Sequence, residues 1–270
     1  MSPNKQYVHF SFDDVYQCIQ DITEHEGVYT SVFENEFFAW MKQMHDTYGA
    51  VFSLYTFNYF SDKPEYDISD IPAQYAAELA DNAHWLKFGF HASDDKKKYL
   101  IDETEQIKQD YNKFLEAVLK ATGGHEDSID RVIRMGFCAG TRANMQALKQ
   151  CENGVQGFLT ADNDPKRLSY YFGDEETAEV NKVGEYWDEG LLFLRSVLRM
   201  ELVTSVEEVV KVIRSLTEPK VLELFSHEYC WYRDSKIEGF SIRDLCEWFI
   251  KWAHEQGYGF DFAQNQYDLQ

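Results

Sequence analysis

The sequence is short of positive charge. Lys and Arg number 26 against 47 Asp and Glu, a formal net charge of −21. That balance excludes attachment to a nucleic-acid backbone or an anionic membrane as the main task of the chain. Also missing is any unbroken apolar run near the ~18 residues of a membrane span. The opening MSPNKQYVHF has no long apolar stretch behind a basic region, so no secretory signal is expected either. The five cysteines (Cys18, Cys138, Cys151, Cys230, Cys246) are odd in number, widely spaced and without a CxxC pair. This favours free thiols in a reducing cytoplasm over a disulfide frame or a cysteine zinc site. With no low-complexity run, linker or repeat, residues 1–270 read as one domain. What is abundant is apolar material, 44% of residues with 16% aromatic, enough for a large core.

Strand and helix patterns alternate along the chain. YVHFSF, AVFSLYTF, HWLKFGFHA, RVIRMGFCAG, GVQGFLTAD and PKVLELFSHEY read as strands. Between and after them ENEFFAWMKQMHDTYG, IPAQYAAELA, DETEQIKQDYNKFLEAVLKATGG, TRANMQALKQC and SIRDLCEWFIKWAHEQG carry helical spacing. About six βα units fit, fewer than an eight-fold barrel needs, and the sheet is expected to be parallel. The stretch 164–199 shows no clear period and is expected to be an irregular insertion.

Several strands end in residues that titrate or bind metals. The first ends at Asp13 and Asp14, the third at His91, the fifth at Asp162 and the last at His227. Strand carboxyl ends are where α/β folds bind ligands, so residues far apart in sequence converge there. Adjacent carboxylates repel and cost desolvation energy. Two readings explain the pair: one Asp caps the following helix DVYQCIQDI, or one binds a divalent cation while the other faces a nucleophilic water. In the second reading a His from another strand end protonates the leaving group. An aspartyl phosphatase needs Asp-x-Asp, which 13 and 14 do not form. A cysteine phosphatase needs Cys-x5-Arg, and Arg142 follows Cys138 by only four positions.

At these residues the sequence resembles the NodB-homology polysaccharide deacetylases, carbohydrate esterase family four in the broad sense. FSFDD is similar to that family's first motif, a strand ending Thr-Phe-Asp-Asp-Gly, which implies Asp13 as base and Asp14 as metal ligand. FGFHASDD resembles the second motif, a His followed four residues later by another; His91 matches the first, and Asp95, with Asp94 beside it, takes the place of the second. LELFSHEY resembles the late Leu-x-His motif and implies His227 as catalytic acid. Val15 stands where the family has Gly. No clear Arg-x-x-Pro-Tyr motif is present; MGFCAGTR takes that place, with Arg142 or Arg134 as the substitute.

The resemblance implies an α/β fold, a distorted (β/α) barrel of about six to seven parallel strands, and a divalent metal, zinc. It also implies a metal-dependent hydrolase that removes acetyl groups from an acetylated sugar, nucleotide sugar or oligosaccharide in the cytoplasm. Arg142 and Asp162 are the expected substrate-binding residues. The alternative is a catalytically inactive deacetylase-like carbohydrate-binding module, favoured by the missing second His.

Overall fold

The computed structural model describes residues 6–161, 169–216 and 219–269. In chain order the strands are β1 (Tyr7–Val15), β2 (Phe52–Phe57), β3 (Tyr59–Phe60), β4 (Lys63–Asp67), β5 (Leu86–Ala92), β6 (Val132–Ile133), β7 (Gly157–Leu159), β8 (Glu185–Asp188), β9 (Leu191–Leu194), β10 (Ser196–Arg199), β11 (Val221–His227) and β12 (Gly259–Phe260). One parallel sheet runs β10-β11-β1-β2-β5, with β12 also pairing with β1; another runs β6-β7-β9-β8, antiparallel only at β8. A parallel bridge from Phe88 to Ile129 joins them on one side. On the other, the chain passes from β9 through Arg195 directly into β10, so one extended segment pairs first with β7 and then with β11. The fold is thus the expected distorted α/β barrel, with β3 and β4 a separate small hairpin.

Strand alternation sorts the side chains. On β1, Phe10 and Phe12 face outward and pack on Phe249, Phe37 and Trp40 of the helices Ile242–Glu255 and Glu36–Tyr48. His9, Ser11 and Asp13 face inward and find polar partners there: Ser53 and Glu223 on the neighbouring strands β2 and β11, and Arg134 just past β6. The apolar core is therefore a shell between strands and helices, around a buried polar interior.

The helices start where the sequence signals them. Asn35 caps Glu36–Tyr48, accepting from the N–H groups of Phe37 and Phe38, and Gly49 closes that helix in the left-handed conformation that glycine enters at little cost. The helix Gln17–Glu24 is different. Neither Asp13 nor Asp14 caps it; its N-cap is Tyr16, whose side chain makes no cap bond. The buried carboxylate of Glu228 instead accepts from the N–H groups of Tyr16, Gln17 and Cys18 at 2.6–2.8 Å. The capping reading of the Asp pair is thereby removed, because a residue from the far end of the chain satisfies those donors.

Two strand expectations change. RVIRMGFCAG is strand only at β6, since Phe137 and Cys138 both take positive φ (60° and 49°) and turn the chain out of the sheet. The stretch expected to be irregular holds the helix Asp174–Val183 and then β8, β9 and β10. Its turns at Gly184 and Glu189–Gly190, all at positive φ, cut the strands to four residues each, too short for a clear period. Among the described residues no helix is long and apolar enough to cross a membrane.

Candidate active site

The carboxyl ends of β1, β5 and β11 meet at one mouth of the barrel. Register alone brings two of the site residues together, because Asp13 lies opposite His227 in the β1–β11 ladder. Asp14 needs a further device. Strict alternation would send its side chain to the outer face. A register shift between Phe12 and Val15 in the β1–β2 pair, with Asp14 at φ 54°, turns it back. Asp is among the few L-residues that enter this region with local support. As a result Asp14 Oδ1 sits 3.2 Å from His91 Nε2, and Oδ2 sits 3.9 Å from His227 Nε2.

Arg134 organises the floor. Its guanidinium donates to Asp13 Oδ1 at 2.7 Å, Glu223 Oε2 at 2.7 Å, Ser11 Oγ at 3.1 Å and Ser196 Oγ at 2.8 Å, with the Phe225 ring 3.7 Å from its centre. Burial works against the charge, but Asp13 and Glu223 outweigh it and raise the arginine pKa. Glu223 goes the other way: burial pushes its pKa up, and the bonds from Arg134 and Ser11 only partly restrain it. The Arg134 carbonyl has a second task, accepting from His91 Nδ1 at 2.6 Å. A carbonyl only accepts, so Nδ1 carries a proton, and Nε2 is the ring atom that faces Asp14.

His227 is held by a carboxylate that the sequence did not signal. Its Nδ1 faces Glu201 in the short turn Met200–Leu202. Burial disfavours the imidazolium, yet the bond to Glu201 and the charges of Asp13, Glu201 and Asp14 raise the His227 pKa. Burial would lift the Glu201 and Asp14 carboxyls, but contacts with His227 and His91 respectively hold both below their ordinary values. Arg199 closes the group, its Nε 3.4 Å from Glu201 Oε1.

These residues line a cleft of about 250 Å³ whose walls include Phe57, Met135, Phe137, Phe225 and Tyr229. Of the residues singled out in the sequence, Asp13, Asp14, His91, Asp95 and His227 all line it. Asp95 Oδ1 also accepts from the Ser61 N–H at 2.7 Å, while Asp94 is engaged outside the cleft with Tyr59 and the Lys96 N–H. Arg142 is elsewhere: about half exposed, it pairs with Asp188 and Glu189 against the Tyr171 ring. It is Arg134, the other substitute considered for the absent arginine motif, that enters the cleft. Asp162 lies outside the described residues.

The donor set suits a divalent cation. Asp14 Oδ1 and His91 Nε2 lie 3.2 Å apart, close enough for a proton or a metal ion to be held between them. One carboxylate oxygen and one imidazole nitrogen, with the Asp95 carboxylate on the same cleft, are ligands zinc accepts.

The same architecture occurs in solved structures. A T48 deacetylase with substrate superposes with a TM-score of 0.50 over 95% of this chain and 87% of its own, at 11% identity. The 4-alpha-glucanotransferase from Thermococcus litoralis gives 0.56 over 97% of this chain, which spans 40% of that larger one, at 10% identity. The peptidoglycan deacetylase PdaC from Bacillus subtilis gives 0.45 over 98% of this chain and 92% of its own, at 11% identity. At such identities the likeness is one of fold. No family model and no curated protein matches the sequence.

Proposed function

We propose that this chain, built on a fold it shares with carbohydrate deacetylases, is a metal-dependent hydrolase that removes an acetyl group from an acetylated sugar, nucleotide sugar or oligosaccharide. One observation carries the reading: a carboxylate clamped by an arginine, an Asp–His pair and a carboxylate-held His converge on one cleft. Asp14 and His91, with Asp95 as the third candidate, are the residues that would hold the cation. When bound there it would supply Lewis-acid polarisation of the acyl carbonyl and of water.

The other groups handle protons. Asp13, fixed by Arg134, accepts a proton from the attacking water. His227, oriented by Glu201, gives a proton to the departing amine or alkoxide as its bond to the acyl carbon breaks. The products are acetate and the free amino or hydroxyl sugar. The raised pKa of His227 favours the protonated ring that a general acid requires. No disulfide links the five cysteines in the described residues, which supports a reducing, cytoplasmic setting and so a soluble sugar precursor as substrate.

The test is acetate release from N-acetylated oligosaccharides and nucleotide sugars, with zinc or cobalt supplied. Wild type is expected to turn over at least one of them. Asp13→Asn and His227→Gln are each expected to lower the rate by about 10²–10⁴-fold. Saturable sugar binding without acetate release would establish the alternative, a carbohydrate-binding module on the same fold.

A further inference from the structure

Around His227 lies a set of three ligand atoms, one of which, the Cys230 sulfur, has no part in the deacetylase reading. Glu201 comes from the turn Met200–Leu202, His227 from the end of β11 and Cys230 from the helix Glu228–Trp231. One carboxylate oxygen, one ring nitrogen and the Sγ of these three residues all lie within 4.8 Å of one another. Among the described residues this is the one such group of three. Cys230 is 7% exposed, so its sulfur is sheltered from bulk solvent. We propose that Glu201, His227 and Cys230 form a second cation site, selective for zinc-like metals, whose occupation switches the catalytic site off.

The ligand types make the selection. Thiolate, imidazole and carboxylate together suit zinc or cobalt, whereas magnesium and calcium want oxygen alone. Bond lengths of about 2.0–2.3 Å bring tetrahedral ligands to within about 4 Å of one another, so a metal would draw the wider spacings in and spread the short Glu201–His227 contact apart. Three protein ligands leave a position for water, as in other open zinc sites. Binding releases two protons to solvent: the Cys230 thiol gives one up as the S–metal bond forms, and the proton that His227 Nδ1 shares with Glu201 leaves as the N–metal bond forms. The Arg199 guanidinium, now 3.4 Å from Glu201, is the cation the metal displaces.

His227 links this site to the chemistry. Its Nδ1 faces Glu201, and its Nε2 faces Asp14 at 3.9 Å. A metal ion on Nδ1 replaces the proton shared with Glu201, so the ring loses the bond that orients it and the charge that makes it an acid. Excess zinc therefore inhibits, while the cation at Asp14 and His91 supports turnover. The inhibition rests on the deacetylase reading; the site itself does not.

Cobalt reads the site directly. Metal-free protein titrated with Co²⁺ is expected to show the near-ultraviolet sulfur-to-cobalt charge-transfer band, retained in Cys138→Ser and lost in both Cys230→Ser and Cys230→Ala, with circular dichroism confirming that the variants are folded. On an acetyl substrate, Cys230→Ser is expected to need at least about tenfold more zinc for half inhibition than wild type. No such band at saturating cobalt, or a band that survives both Cys230 substitutions, overturns the site. A Cys230-dependent band without zinc inhibition overturns the switch.

Discussion

A single guanidinium against two carboxylates sets the character of the barrel interior. Arg134 is 1% exposed and bonds both Asp13 and Glu223. Removing one member of such a buried group strands the others without a partner. Arg134→Met is therefore expected to lower the unfolding free energy by about 3–5 kcal/mol, read as a drop in the urea midpoint. His9, lower in the same interior, offers a sharper probe. It is fully buried; its Nε2 lies 2.8 Å from Ser53 Oγ, and the Ser53 hydroxyl donates to Asp130. Burial, helped by the charge of Arg134, pushes its pKa down to about 3. The unfolded chain takes up that proton near pH 6.5, the folded chain only near 3, so this residue's contribution to stability falls as pH drops below 6.5. At about 1.4 kcal/mol per pH unit, the stability gap between wild type and His9→Gln should narrow by about 2 kcal/mol between pH 7.5 and 5. Urea unfolding at the two pH values checks this, and a constant gap would exclude a neutral His9.

At the scale of elements, Gly89 in the middle of β5 shows how one strand makes room for another. A Cβ there would lie 2.5 Å from the Tyr55 ring, which crosses the interior to donate its hydroxyl hydrogen to the Val132 carbonyl at 2.9 Å. Gly89→Ala is expected to cost about 1–3 kcal/mol through overpacking, seen as a fall of several degrees in the calorimetric unfolding temperature. The long strands and their helices were legible because alternation or helical spacing persists over seven or more residues in β1, β5, β11 and Ile242–Glu255. In the sequence β6 reads as strand but too long, and the four-residue β8, β9 and β10 are missed because turns cut each off before it establishes a period. The cleft divides in the same way. Asp13, Asp14, His91, Asp95 and His227 stood out because they follow a readable strand. The partners that hold them carry no local mark: Arg134 is 121 residues from Asp13, Glu223 is 212 from Ser11, and Glu228 caps a helix 210 residues away.

For the whole molecule the excess of acidic groups is the dominant long-range term. Repulsion among them opposes the compact state, and salt screens it. Raising ionic strength from about 0.01 M to about 0.15 M shortens the Debye length from about 30 Å to about 8 Å. The unfolding temperature is expected to rise over that range; a fall would mean that attractive surface pairs outweigh the net charge of −21. The position of β1 matters in a different way. It is the first strand of the chain, yet it lies between β2 and β11, and Asp13 meets His227 only when that last long strand is in place. A ribosome adding about 5–20 residues per second needs roughly 10–40 s to travel from one to the other. Until then the strand that carries both aspartates has one edge open, and Asp13 and His227 come together only once the β11 segment has been made.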